Sequence, residues 1–194
     1  MTWKPDYVTS AVLKSYLDIT TTDLDVFVAL WITTASRNVD DFCGRQFGQV
    51  ASVETRTYSN TVWDRHLGKY VTEIDDLMDI DDLVVVDANT NEITDYTLEP
   101  ENALQKGKPY ERILTSVAGP FTMDGLWGWN PTADGPKVAQ VGLLLQAARL
   151  NARRNSPFGV AGSPSQGSEI RLLAQLDPDF RTSLKPFQRN WWAA

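Results

Sequence analysis

The sequence predicts an α+β protein, in which a small helical bundle is interrupted by an inserted antiparallel β subdomain. Near both ends of the 194-residue chain, apolar residues recur at three- and four-residue steps, as on the buried face of a helix. Between these regions, β-branched residues alternate with polar ones, as in half-buried strands. We therefore expect antiparallel helices near residues 10–18, 22–43, 136–155 and 178–185, with the strands between the second and third helices.

The predicted organisation has four consecutive parts. Residues 1–48 hold the first half of the bundle, 49–132 the β-rich insertion, 133–185 the second half, and 186–194 a C-terminal docking tail. A hydrophobic content of 42% with 22% charged residues is typical of a folded globular protein. We expect no signal peptide, because residues 1–10 contain no apolar run. We also expect no membrane span, because no run of about 18 uncharged apolar residues occurs.

The first two helices are predicted from their apolar spacing and their ends. One side of the first helix carries Ala11, Val12, Tyr16 and Leu17. At the start of the second, Thr22 and Asp25 have the spacing of a capping box, and Gly44 stands where a left-handed residue ends a helix. Its continuous apolar stripe is formed by Leu24, Val28, Trp31, Ala35, Val39 and Phe42.

Strands are expected within residues 50–62 and at 83–87, 95–99 and 111–115, where turn-forming residues separate short β-branched runs. A last strand is expected within 119–130. There, aromatic residues lie among glycines and are expected to pack closely; they are Phe121, Trp127 and Trp129.

Helical character returns at Pro136, which suits the first position of a helix. The expected buried stripe is Val138, Val141, Leu145, Ala148 and Ala152. Gly142 and the alanines are small, so another helix could approach closely. Asp177 and Pro178 have the cap-and-proline pattern of a short final helix bearing Phe180 and Leu184, which Pro186 would end.

Charge is distributed unevenly along this chain of net charge −7. Eleven acidic residues and no Lys or Arg occupy 73–101, whereas 137–189 holds eight basic residues and three acidic ones. This asymmetry predicts two electrically different faces, and the net acidity argues against tight nucleic-acid binding through a broad basic surface.

No enzymatic chemistry is predicted. Asp87, Asn89, Asn91 and Asp95 have part of a calcium-loop spacing, but the sixth and twelfth positions do not fit, so we expect a polar hairpin turn. The pairs Asp75–Asp76 and Asp81–Asp82 could in principle serve a small hydrolase, but so dense a run is expected to be exposed and hydrated. Cys43 is expected in the core and His66 on the surface, and no catalytic, metal or cofactor site is expected.

Two pairs of tryptophans suggest binding surfaces. Trp127 and Trp129 could form a sugar-stacking platform, so a carbohydrate- or receptor-binding module is the alternative function. Trp191 and Trp192 follow Arg189, a combination of residue types enriched at the centres of protein interfaces.

Several helix ends and turns occur in a fixed order across nearly the whole chain. They are Leu13–Leu17, the helix end Ala35–Phe47, the stretch Tyr96–Ala103, Trp127-Gly128-Trp129, the helix end Ala148–Gly159, and Asp177-Pro178-Asp179. In their order and spacing, these segments together resemble the head–tail connector, or adaptor, proteins of tailed bacteriophages.

The resemblance implies a helical-bundle protein, with no catalytic residues, that forms a homo-oligomeric ring, a dodecamer, beneath the portal of a siphovirus-type virion. Such a ring extends the DNA channel, lets DNA pass without sequence-specific binding, and joins the portal to a stopper or tail-terminator protein of the neck. Made in the host cytoplasm, the protein would reside in the virion neck and contact no membrane. The family's C-terminal segment commonly engages the portal, which here implies Phe187, Arg189, Trp191 and Trp192.

The charge layout offers two hypotheses for the acidic region. In the first it meets a basic patch of a neighbouring subunit, with the interface formed by Arg149, Arg153, Arg154, Asp75, Asp76, Asp79, Asp81 and Asp82. In the second, acidic residues face the channel and repel DNA phosphates. The sequence leaves both hypotheses open, and also whether the protein is the adaptor next to the portal or the stopper below it.

Overall fold

The protein is mixed α and β, as the sequence predicts. The computed structural model describes residues 4–155, 160–161, 170–171 and 176–189. In these residues the helices are α1 (Ser10–Tyr16), α2 (Asp25–Cys43), α3 (Asp134–Asn155) and α4 (Pro178–Leu184), with two 3-10 turns at Leu104–Lys106 and Lys185–Phe187. The strands are β1 (Glu54–Tyr58), β2 (Val62–Asp64), β3 (Lys69–Asp87), β4 (Tyr96–Glu99), β5 (Tyr110–Thr115), β6 (Phe121–Trp127), β7 (Val160–Ala161) and β8 (Ile170–Arg171).

The chain divides into two compact units. Unit 1 consists of Met1–Pro5 and Gln46–Lys137, and unit 2 of Asp6–Arg45 and Val138–Ala194. The large sheet therefore belongs to unit 1, whereas α1, α2, α4 and most of α3 belong to unit 2. The boundaries lie a few residues from the sequence-based limits of 49 and 132.

The sheet of unit 1 is antiparallel and six-stranded, in the order β1-β6-β3-β5-β4, with β2 paired to β3. Strand β3 is much longer than the sequence predicted, because the acidic run continues it instead of ending it. Its first part pairs with β2 and β5, and its second part with β6. Between Asp79 and Val84 the register with β6 shifts, so residues 80–83 form an irregular bulge.

One face of the sheet buries a continuous apolar core, whose members are Val50, Ile74, Leu77, Val85, Ile93, Ile113, Phe121, Met123 and Trp127. Gly128 lies directly after β6, where the backbone of residues 48–49 passes very close. Its φ is +112°, and a Cβ at this position would lie 2.0 Å from the Gly48 carbonyl oxygen. Only glycine fits such an approach without displacing the neighbouring chain.

In unit 2, helix ends follow the sequence in part. Gly44 ends α2 in the left-handed conformation at φ 62°, and Asp177 caps α4 by accepting the Asp179 and Phe180 amides, so both predictions are confirmed. The predicted capping box at Thr22 is wrong. Leu24 precedes the first residue of α2 without a side-chain cap, and the Thr22 backbone carbonyl accepts the Asp25 amide.

The predicted buried stripe of α3 is also wrong by about one position. Val141 is exposed, and within residues 138–154 of α3 the buried residues are Ala139, Gly142, Leu143, Gln146 and Ala147. Packing of α4 contributes to this difference, because a Cβ at Gly142 would lie 2.9 Å from Leu184 Cδ1 and 3.4 Å from Phe180 Cδ2. The absence of a side chain at Gly142 therefore permits close helix contact on this side of α3. Pro136 is the third residue of α3, not the first, and Pro186 lies inside a 3-10 turn.

Candidate assembly surfaces

Helix α2 of unit 2 has an exposed apolar face, and α1 carries further exposed apolar side chains. On α2, Val26 is 72% exposed and Leu30 57%, with Phe27 beside them. On α1, which packs against α2, Val12 and Tyr16 are about half exposed, and the buried residue is Leu13. Clusters of exposed apolar side chains mark interaction sites more often than single ones do.

This face lies opposite the buried stripe of α2. Val28, Trp31, Ala35 and Val39 are buried, as the sequence predicts, so helical periodicity places Val26 and Leu30 away from that core. Phe27 connects the two sides, with its ring 6.2 Å from that of Trp31. Helix α2 is therefore apolar around more of its circumference than a surface helix needs.

The arginines near the end of α3 contact their own unit. Arg149 Nη1 lies 3.4 Å from Asp177 Oδ2, the carboxylate that caps α4. The Arg154 guanidinium lies 5.1 Å from the centre of the Phe27 ring, a cation–π distance. Arg153 also makes a contact. For Arg149 and Arg154, these internal contacts provide an alternative to the predicted contact with an acidic neighbour.

The structure divides the acidic run of β3 into a buried part and an exposed part. Asp75 pairs with Arg56 of β1 at 2.8 Å and accepts the Tyr58 hydroxyl at 3.0 Å. Burial, and next the Asp75 carboxylate, raise the pKa of Tyr58 above its usual value. Asp79 is half-buried, whereas Asp81 and Asp82 are exposed on the bulge.

Asp76 is only 3% exposed, so the prediction that the whole run is hydrated is wrong at this position. Its Oδ2 accepts the indole N–H of Trp129 at 2.8 Å. The alternation of β3 turns Asp76 inward, and the partner comes from a residue that is distant in sequence. A buried carboxylate with an internal partner is poorly placed to meet another subunit, and we leave Asp76 out of the proposed interface.

Trp127 and Trp129 are the aromatics of the alternative sugar-binding hypothesis, and both are buried, at 0% and 1% exposure. The Trp127 indole donates to the Glu54 carbonyl, and the Trp129 ring packs 5.1 Å from that of Phe47. A buried ring offers no face on which a sugar can stack. The close packing predicted from the sequence is confirmed, and the sugar platform built on these two residues is not supported.

Two residues of the predicted docking tail, Gln188 and Arg189, contact the end of α2. The Arg189 amide donates to the Cys43 carbonyl at 2.7 Å, and the Gln188 side-chain amide donates to the Phe42 carbonyl at 2.9 Å. Phe187 and Arg189 are half-buried. Trp191 and Trp192, the other two predicted portal contacts, lie outside the described residues.

A groove of about 300 Å³ lies beside this segment, lined by Phe42, Arg181, Thr182, Lys185 and Gln188. Sequence reasoning missed it, although Arg181 and Lys185 stand four residues apart on a predicted helix, a spacing that places two cations on one face. The sequence gives no sign that Phe42 lies beside these two cations, because α2 and α4 come together only in the folded unit.

The other polar candidates have structural roles. Asp87 accepts the amides of Asn89 and Asn91 and so forms the predicted hairpin turn. His66 is exposed in the turn between β2 and β3. Cys43 is buried, as predicted, and burial raises the pKa of its thiol from 9.0 to about 12.

Comparison of the chain with models of known protein families and with curated protein sequences finds no match. Within the described residues, no helix combines the length and apolarity that a membrane crossing requires. Evidence on function therefore comes from the surfaces described above.

Proposed function

We propose that the chain is a structural assembly protein, a head–tail connector of a tailed bacteriophage. In this proposal it forms a ring beneath the portal, extends the DNA channel, and joins the next protein of the virion neck. The observation that carries the proposal is the exposed apolar face of α2, together with the exposed apolar side chains of α1, which a subunit interface would bury. The resemblance of the sequence to connector proteins is the reason for proposing this particular kind of assembly.

The division of the chain supports the corresponding architecture. We propose that the helices of unit 2 form one bundle whose sequence is split by the sheet of unit 1. The bundle would contribute ring contacts through the exposed apolar side chains of α1 and α2. The acidic bulge on β3 would either face a neighbouring subunit or line the channel, where carboxylates repel DNA phosphates.

The apolar face is tested by measuring the oligomeric state of the full chain with and without purified portal protein, by light scattering and negative-stain electron microscopy. The double variant Val26→Glu with Leu30→Glu should abolish rings while leaving the circular dichroism spectrum unchanged, since both side chains are exposed. Leu67→Glu is the matched control, because Leu67 is 52% exposed but lies in the β2–β3 turn of unit 1. Rings that form equally in all three proteins would refute the role of this face.

Portal docking by the C-terminal segment needs a more careful deletion. Removing 186–194 would also remove the bonds of Gln188 and Arg189 to the end of α2. Removing 190–194 deletes Trp191 and Trp192 and keeps those bonds. We expect the shorter deletion to lose portal binding with unchanged stability of the free protein. Normal joining to portals would show that these tryptophans are not the anchor.

A further inference from the structure

The groove of unit 2 has an apolar centre and a basic rim. Phe42 is half-buried, with its ring 5.6 Å from the buried Phe180 in an edge-on contact, and Gln188 is fixed against it by the bond to the Phe42 carbonyl. Arg181 and Lys185 lie one turn apart on α4 and its continuation, and both are exposed. The described residues that line the groove include no carboxylate.

The two cations are not neutralised locally. Among the residues that the structure describes, neither Arg181 nor Lys185 makes an ion pair. Like charges four residues apart on a helix repel each other and destabilise it slightly. An anionic group in the groove would remove this repulsion, so the rim favours an acidic occupant.

The bulge of β3 has the complementary pattern. It places Ile80, which is 40% exposed, among Asp79, Asp81 and Asp82. In the described part of the chain none of these three carboxylates forms an ion pair. The register shift removes residues 80–83 from regular pairing with β6, and Ile80, Asp81 and Asp82 are exposed there.

We propose that the groove of one copy of this chain receives the bulge of a second copy. Ile80 would pack against Phe42, and the Asp81 and Asp82 carboxylates would face Arg181 and Lys185. The bulge is the proposed occupant because its charge is complementary to that of the groove. It presents an apolar side chain among carboxylates, and the groove presents an apolar ring beside two cations. This inference rests on the proposed assembly function and names one of its contacts.

Such a contact is heterologous, because one copy contributes a surface of unit 1 and the other a surface of unit 2. Repeated head to tail, heterologous contacts either close into a ring or continue as a filament. The contact replaces the predicted one with Arg149, Arg153 and Arg154, of which Arg149 and Arg154 have partners inside their own unit. It keeps Asp79, Asp81 and Asp82 from the sequence-based interface.

The test is disulfide cross-linking between two differently tagged full-length chains, one carrying Thr182→Cys and the other Asp82→Cys. Only an intermolecular contact can join them, and a disulfide requires the two Cα atoms to lie within about 7 Å. The native Cys43 is buried and does not compete. We expect a heterodimer on non-reducing gels, with a yield at least tenfold above that of Thr182→Cys mixed with Glu101→Cys, an exposed acidic position away from the bulge.

Charge reversal then tests the rim. Adding Lys185→Glu to the groove chain should lower the yield at least fivefold, and adding Asp81→Lys to the bulge chain as well should restore it. Raising the salt from about 0.1 M to about 1 M, which shortens the Debye length from about 10 Å to about 3 Å, should also reduce the yield.

The outcomes separate this inference from the proposed function. Rings without the specific cross-link overturn the groove–bulge contact and leave the assembly function standing. The cross-link without rings, even on added portal protein, supports the contact and overturns the connector function. If neither forms, or if the Glu101→Cys control cross-links equally well, the contact is refuted.

Discussion

Replacing Gly128 by alanine should destabilise unit 1 more than any other glycine-to-alanine change in the sheet region. The added Cβ would lie 2.0 Å from the Gly48 carbonyl oxygen and 2.8 Å from the Gln49 Cα, which are backbone atoms and cannot rotate away. The φ of +112° is itself unfavourable for an L side chain. Three segments of the chain meet at this position. Residues 48–49 pass close to Gly128 on one side, and the Gly128 amide donates to the Asp76 carbonyl of β3 at 2.6 Å.

The expected magnitude follows from these terms. The backbone conformation costs about 1–3 kcal/mol for a residue other than glycine. To relieve the overlap, residues 48–49 must move, which strains the bond from the Trp129 amide to the Gly48 carbonyl and the bond to Asp76, at about 1 kcal/mol each. We expect a loss of about 3–5 kcal/mol, a large fraction of the 5–15 kcal/mol typical of a domain.

Urea denaturation followed by tryptophan fluorescence measures this loss. Gly107→Ala is the matched control, because Gly107 also has a positive φ, +65°, but no atom lies within 4 Å of its added Cβ. The control should lose only about 1–2 kcal/mol, the cost of the left-handed conformation. Equal losses in the two variants would refute the argument that close backbone approach decides the identity of residue 128.

Further predictions concern both units. Cys43 should react with iodoacetamide at pH 8 at least ~1,000-fold more slowly than a free cysteine, because its pKa near 12 lowers the thiolate fraction and burial restricts access. Leu184→Ala should cost about 2–5 kcal/mol, since this buried side chain packs on α3 at Gly142, and should speed that labelling. Hydrogen bonds from the side chain and then the backbone of Asn91 lower the pKa of Asp87. The amides of the turn at residues 87–91 should therefore stay protected from hydrogen exchange at pH values above the ordinary carboxyl pKa. They should lose this protection as the pH falls through the lowered pKa of Asp87, and amide exchange followed by NMR measures the change.

Each of these predictions has a contradicting result. The Cys43 sulfur lies 3.9 Å from the Leu184 carbonyl oxygen at the end of α4. Labelling of Cys43 at the rate of a small thiol would show that α4 does not cover it in solution. A Leu184→Ala variant with unchanged urea midpoint would show that α4 contributes little to unit 2. An Asp87→Asn variant that keeps the same pH dependence of the Asn91 amide would show that another group controls the turn.

The sequence predicted elements well where a single local signal decided them. The αL residue at Gly44 and the cap at Asp177 depend on backbone conformation and on one side chain, and both are confirmed. The predicted α3 stripe was wrong because it followed the more hydrophobic Val141, whereas the structure buries Gly142, on which α4 packs closely. Hydrophobicity alone does not report such a steric preference.

The surfaces were harder to predict than the elements. The acidic run was identified, but its division into an internal Asp76 and an exposed bulge depends on the alternation of β3 and on the position of Trp129. The groove combines Phe42 with Arg181 and Lys185, which are far apart in sequence. No periodicity or motif reports a pocket of this kind, because its lining forms only when α2 and α4 pack.

Strand β3 has a consequence for how unit 1 forms. It is the strand to which β2, β5 and β6 all pair, so the two parts of the sheet share it. Its pairing with β2 closes through a short turn, but its pairing with β5 and β6 joins residues far apart in sequence, which is the slower event. The β2–β3 hairpin should therefore be the first piece of the sheet to order. A defect within β3 should delay the folding of the entire unit, whereas a defect in β1 or β4 should only fray an edge.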